Sequence, residues 1–124
     1  METNIGKHIL IIDDDLGISE VIKIILQDGG YKTTVINNGF NIVKIVKKLK
    51  PDLILLDVWM SGIDGRDVAV LLRSEKKTSK IPIILISALS NTEEIAKEIN
   101  ADGFLSKPFD ISELMAIVKQ SLLF

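Results

Sequence analysis

The sequence predicts an α/β fold, a doubly wound parallel sheet of five strands with helices on both faces. Three observations carry that expectation. Short runs rich in Leu and Ile, at 8–13, between Pro51 and Asp57, and at 81–87, show no apolar/polar alternation, which is the pattern of strands buried on both faces. Segments with apolar residues at helical spacing lie between the strands, so strand and helix alternate five times with no repeat, linker or low-complexity stretch. A length of 124 residues suits one domain, 1–124, and excludes a closed eight-stranded barrel.

The first strand, 8–13, ends in the acidic run Asp13-Asp14-Asp15. His8, the sole histidine, stands at the far end from those acids, which fits a surface or strand-edge role better than catalysis. Helix one, 16–28, carries Leu16, Ile18, Val21, Ile22, Ile25 and Leu26 at helical spacing, and Gly29-Gly30 stop it. Tyr31 to Asn37 is β-branched and more polar, as expected of a strand nearer the sheet edge. Asn38-Gly39 turn into helix two, where Ile42, Val43, Ile45, Val46 and Leu49 face inward and Lys44, Lys47, Lys48 and Lys50 read as a solvated face. Pro51 sets the start of strand three, which ends at Asp57.

Helix three follows Gly65 with Val68, Leu71 and Leu72 as its stripe. Strand four, 81–87, ends in Ser87, and Ser90 to Glu93 has the form of a capping box opening helix four. Only Ile95, Ala96 and Ile99 are available for that helix to bury, so it is expected to be the most weakly held. Strand five, 101–106, is closed by Lys107-Pro108. Asp110 caps helix five with Glu113 at the matching third position, and Ile111, Leu114, Ile117, Val118 and Leu122 form its stripe.

Composition narrows the function classes. Cysteine is absent, which removes disulfides and thiolate metal sites and suits a reducing cytoplasm. Residues 1–7 form a leader with no signal-peptide core, and no apolar run approaches a membrane span, so a cytoplasmic protein without membrane insertion is expected. A net charge of -2 argues against direct nucleic-acid binding. A hydrophobic content of 47% fits strands covered on both sides.

Right-handed crossovers place helices on both faces of the sheet. In the order 2-1-3-4-5, strands one, three, four and five bring Asp13, Asp14, Asp57, Ser87 and Lys107 to one pocket at their carboxyl ends, where open α/β sheets bind ligands. Clustering carboxylates there is unfavourable: at roughly 5 Å and an effective dielectric of about 20, each like-charge pair opposes folding by about 3 kcal/mol. A hard divalent cation such as Mg²⁺ answers that repulsion and leaves positions open for phosphate oxygens, with Lys107 adding a point charge. The site is built to receive a phosphoryl group, with Asp57 as nucleophile and Ser87 and Lys107 as donors to the phosphoryl oxygens. Taken singly, Ser87 is an ordinary strand-end hydroxyl, Lys107 a surface lysine, and the acidic triplet a charge cluster at a helix N-terminus.

Ile11-Ile12-Asp13-Asp14-Asp15, Leu55-Leu56-Asp57 through Gly62-Ile63-Asp64-Gly65, Ile86-Ser87-Ala88, and Asp102-Gly103-Phe104-Leu105-Ser106-Lys107-Pro108-Phe109 together resemble the receiver domain of two-component response regulators, of the small chemotaxis-regulator type, over the whole chain. The resemblance implies the flavodoxin-like (βα)5 fold. It also implies phosphorylation of Asp57 from a phosphohistidine on a sensor histidine kinase or phosphotransfer protein, or from a small phosphodonor. Mg²⁺ would be held by Asp13 and/or Asp14, Asp57 and the Trp59 backbone carbonyl, and the Lys107–Pro108 bond would be cis. Ser87 and Phe104 are the implied switch pair, with output through helix four, strand five and helix five to a downstream effector or an output domain absent from this chain, or to a phosphorylation-dependent homodimer. Such a protein is a phosphoacceptor regulator and not an enzyme beyond intrinsic autophosphorylation and autodephosphorylation. Ser61 stands where the family usually has proline, Ser87 where threonine is commoner, and Trp59 is bulkier than usual beside the phosphoryl group, where an indole would exclude water.

Two enzyme-like or binding alternatives fit less well. A haloacid-dehalogenase-like phosphatase would need a threonine where Gly17 stands, and it has no room here for a cap element. A flavodoxin-like FMN binder would want a Ser/Thr-rich loop after strand one, where this chain has acids. A pseudo-receiver that no longer takes phosphate would not be expected to keep Asp57, Ser87 and Lys107.

Overall fold

The computed structural model describes residues 6–60 and 62–123; Ser61, the residues 1–5 of the expected leader, and Phe124 lie outside the described residues. The chain runs β1 (His8–Ile12), α1 (Leu16–Asp28), β2 (Lys32–Ile36), α2 (Ile42–Leu49), β3 (Leu53–Asp57), β4 (Trp59–Met60), β5 (Ile63–Asp64), α3 (Gly65–Ser74), β6 (Ile83–Ser87), α4 (Thr92–Glu98), β7 (Gly103–Ser106) and α5 (Ile111–Ser121). Five of these strands make one parallel sheet in the order β2-β1-β3-β6-β7, the expected 2-1-3-4-5 arrangement of a flavodoxin-like (βα)5 fold. The register is set by Ile12 opposite Ile36 and Leu56, and by Asp57 opposite Ile86.

Because successive side chains leave a strand on opposite faces, the unalternated apolar runs fill two cores at once. Leu10, Ile12, Ile54, Leu56 and Leu85 pack with Ile42 and Val46 of α2, Val68 and Leu72 of α3, and Ile95 of α4. Ile9, Ile11, Leu55, Ile84 and Ile86 pack on the other side with Ile22 and Leu26 of α1 and Leu114 and Val118 of α5. Each fully buried Leu or Ile contributes about 1.5–3 kcal/mol of apolar transfer, and this sets the strand order and register firmly.

Several details depart from the sequence reading. Strand ends fray inward by one or two residues, since Ile81 and Ala101 pack against the core without joining the ladder. In α3 the buried positions are Gly65, Val68, Ala69 and Leu72, while Leu71 is exposed: the stripe follows i, i+3, i+4, i+7 from Gly65 and so takes in Ala69 in place of Leu71. Leu16, Val21 and Ile111 likewise face solvent. The capping box expected at Ser90 is absent: α4 begins at Thr92, its N-cap is Asn91, and no side chain caps it. Thr92 Oγ1 instead donates to the Leu89 carbonyl at 2.7 Å. At seven residues α4 is the shortest of the five helices, and it buries Thr92, Ile95 and Ala96. The Asp110–Glu113 capping box on α5 is present in both directions.

A two-residue hairpin, β4 with β5, follows β3 and turns through Gly62 at φ +75°, a left-handed conformation open to glycine. Gly65 lies so close behind Asp57 and Val58 that a Cβ there would strike the Asp57 carbonyl. Its own N–H donates to the Val58 carbonyl at 2.7 Å, fixing the chain just past Asp57. At the other end, Gly6 and Lys7 already bond to Gly30 and Lys32. His8 opens β1, half-buried, with Nε2 at 2.7 Å from Thr34 Oγ1 and far from the acids. Among the described residues no helix is long and apolar enough to cross a membrane.

Candidate functional site

Four neighbouring strands of the sheet end on polar side chains at one edge. Asp13 follows β1, Asp57 is the last residue of β3, Ser87 the last of β6, and Lys107 follows β7. Parallel pairing places these ends side by side, so residues far apart in sequence meet without any long loop. Asp13, Asp14 and Asp57 can each offer a carboxylate oxygen within 4.8 Å of the others. The donor set is oxygen alone, with no imidazole or thiolate, which suits a hard divalent cation and fits Mg²⁺. The remaining acid, Asp15, is the N-cap of α1 and accepts from the Ile18 N–H at 3.0 Å.

Asp13 is 1% exposed and Asp57 5%. One Asp13 oxygen accepts from the Asp15 N–H at 2.9 Å and the other from Lys107 Nζ at 3.2 Å. The same ammonium lies 3.7 Å from an Asp57 oxygen. Burial strips water from Asp57 and the charge of Asp13 opposes its ionisation; Lys107 and a 3.4 Å bond from the Trp59 N–H offset this only partly, and the Asp57 pKa rises to about 6. Buried carboxylates that share a single lysine favour a further cation at this edge.

Ser87 is buried, and its Oγ accepts from the Leu89 N–H at 2.9 Å, which turns the chain towards α4. Its carbonyl accepts from the Lys107 N–H at 2.8 Å, tying the β6 and β7 ends together. The Lys107–Pro108 peptide is cis, as the resemblance implies. Phe104 is half-buried on the face that packs against α4. Trp59 is 67% exposed, so any shielding by its indole is at most partial. Beside the acids, Gly17, Ile18, Val21, Ile22, Ala88, Pro108 and Phe109 line a largely apolar groove of about 640 Å³ that reaches Asp15 and Lys107.

All five residues expected in the pocket are therefore at one edge of the sheet, with Ser87 on the α4 side and Lys107 between Asp13 and Asp57. Asn37 was not anticipated. Its carboxamide nitrogen donates to the Asp13 carbonyl at 2.8 Å. The available signal was a polar residue directly after the Val35-Ile36 end of a strand, at the same edge as the acids.

Residues 9–119 match the family described as the response regulator receiver domain. The chain is 36% identical over 118 residues to the DNA-binding response regulator MtrA of Mycobacterium tuberculosis, covering 94% of this chain and 50% of that protein. It thus spans about half the length of the curated relatives it matches. Among solved structures, response regulator protein TrrA from Thermotoga maritima, in complex with Mg²⁺ and BeF, is similar with a TM-score of 0.84 and 36% identity over 94% of this chain and 99% of that one. The receiver domain of a sensor histidine kinase from Pseudomonas aeruginosa, with magnesium coordinated in its active site cleft, is similar with a TM-score of 0.85 and 27% identity over 94% and 98% of the two chains. Phosphoacceptor switching in two-component signalling is the general function of such domains, which act as signalling switches and are not generally classed as enzymes. Matched over most of its length and carrying the acidic edge described above, this chain belongs to the response regulator receiver domain family.

Proposed function

We propose that this domain is a phosphorylation-activated switch in which Asp57 takes a phosphoryl group from a sensor histidine kinase, a phosphotransfer protein or a small phosphodonor. The observation that carries the reading is the convergence of Asp13, Asp14 and Asp57 with the Lys107 ammonium 3.7 Å from Asp57. An Asp57 carboxylate oxygen attacks phosphorus, an O–P bond forms, the N–P bond of phosphohistidine breaks, and the released imidazole takes up a proton. Lys107 turns its charge from Asp13 towards the new phosphoryl oxygens, and the Ser87 hydroxyl donates to another. Asp13, Asp14, Asp57 and the Trp59 carbonyl are the residues proposed to hold Mg²⁺. Bound there, the ion supplies charge neutralisation for the carboxylates and the incoming phosphoryl oxygens.

A protein phosphodonor is supported by the apolar groove beside the acids, where Ile18, Pro108 and Phe109 offer a surface that reaches Lys107, with Leu16 exposed on the same helix as Ile18. Output is proposed to leave through α4, β7 and α5. When Ser87 Oγ leaves the Leu89 N–H for the phosphoryl group, the turn into α4 loosens, Phe104 can move inward, and the uncapped helix shifts at low energetic cost. The receiver then engages a downstream protein, an output segment or a second copy, in a cytoplasmic setting and without contacting nucleic acid or membrane itself. The test is Mg²⁺-dependent labelling by acetyl phosphate. One phosphoryl mass, prevented by a chelator, is expected, and labelling unaffected by the chelator contradicts the metal assignment.

A further inference from the structure

The acidic loop is fastened from its far side by a pair of polar residues that none of the proposed chemistry uses. β2 ends at Ile36, and the Asp13 N–H donates to the Ile36 carbonyl at 3.1 Å as the last backbone rung between β1 and β2. The chain of β2 then leaves for α2, and the Asp13 carbonyl is served by a side chain, Asn37 Nδ2, at 2.8 Å. The same nitrogen donates its second proton to Ser19 Oγ at 3.2 Å, and that hydroxyl donates to the Leu16 carbonyl at 3.2 Å. A carbonyl can only accept, so the amide orientation is fixed with nitrogen towards Asp13. Ser19 is 2% exposed, held inside the first turn of α1.

Asn37 therefore bridges the end of β1 and the start of α1, the two anchors of the loop that carries Asp13, Asp14 and Asp15. Within that loop the Asp13 carboxylate accepts from the Asp15 N–H, so the direction of the carboxylate follows the loop backbone. Like charges on Asp13, Asp14 and Asp57 oppose one another; Lys107 offsets this from the pocket side, and the Asn37 bridge braces the loop from behind.

We propose that Asn37 is a positioning residue for the cation site: through the Asp13 carbonyl and the Ser19 hydroxyl it holds the acidic loop so that Asp13 and Asp14 meet the same ion as Asp57. The inference rests on the reading of those acids as Mg²⁺ ligands. Without the bridge the loop relaxes by separating its charges, and the ion has to draw them back together. Groups that orient metal ligands from behind are typically worth about tenfold to a hundredfold in metal affinity.

Titration calorimetry with Mg²⁺ alone, on the full chain and with no phosphodonor, decides it. Asn37→Ala is expected to raise the dissociation constant about tenfold, and Ser19→Ala to raise it by a smaller factor because the amide keeps its bond to Asp13. Thr78→Val is the control: Thr78 is buried at the opposite edge of the sheet, where its Oγ1 donates to the Leu72 carbonyl at 2.6 Å, so the variant melts earlier and keeps its Mg²⁺ affinity. An Asn37→Ala affinity within about twofold of wild type overturns the proposal, as does an equal loss in Thr78→Val. Should Asn37→Ala not fold, an unchanged affinity in Ser19→Ala overturns it. If the wild-type chain binds no Mg²⁺, or if Asp13→Ala binds as well as wild type, the ligand assignment itself falls and this inference with it.

Discussion

Lys107 pairs more closely with Asp13 than with Asp57, at 3.2 Å against 3.7 Å, although Asp57 is the residue on which the new charge would arrive. The lysine thus rests on the acid that stays behind, and its ammonium already lies within reach of the acid that reacts. It spans two carboxylates that would otherwise repel one another in a buried pocket.

Apo stability should depend on pH through Asp57. Its pKa is raised from 3.8 to about 6, so the folded state binds its proton more tightly than the unfolded state does. The stability associated with that proton is fully present below about 3.8 and is lost as pH rises through about 6, by at most about 3 kcal/mol. Melting curves without Mg²⁺ should therefore show Asp57→Asn more stable than wild type at pH 7.5, with the gap closing below pH 4. Lys107→Met should melt earlier than wild type at pH 7.5 by about 1–3 kcal/mol, because the two buried acids lose their shared cation. A wild-type chain that gains stability between pH 4 and pH 7 relative to Asp57→Asn would contradict the electrostatic account.

Activation should be read out around α4. Hydrogen exchange on the phosphorylated form, or on a beryllofluoride mimic, should change mainly across residues 88–110, which include the uncapped α4 and Phe104. Change confined to α2 would contradict an output through α4, β7 and α5.

The apolar groove should matter for a protein donor and not for a small one. Ile18→Glu places a charge in it, and transfer from a histidine kinase should slow roughly tenfold, equivalent to about 1.4 kcal/mol in the barrier. Labelling by acetyl phosphate should stay as in wild type. An equal loss with both donors would mean that the substitution disturbs the pocket itself.

The strands and the pocket were legible in the sequence because both depend on patterns that a chain cannot hide. Leu53 to Leu56 are buried on both faces, and such a strand must read as an unbroken apolar run. Asp13, Asp57, Ser87 and Lys107 sit where those runs stop, and strand order alone brings them together. Features decided by tertiary contact were less legible. Leu71 is exposed and Ala69 buried because the inward face of α3 is set by the sheet it packs on and not by side-chain size, and α4 starts one residue later than the Ser90 pattern implies, with Asn91 at the N-cap. The β4–β5 hairpin is two residues per strand, too short for any period. Asn37 and Ser19 are separated by 18 residues and joined by one side-chain bond, with no spacing rule to link them.

The most direct test compares intact masses of wild type and Asp57→Asn after incubation with Mg²⁺ and acetyl phosphate. One added phosphoryl group on wild type and none on Asp57→Asn is the predicted result. Undiminished labelling of Asp57→Asn would place the acceptor elsewhere and contradict the account at its centre.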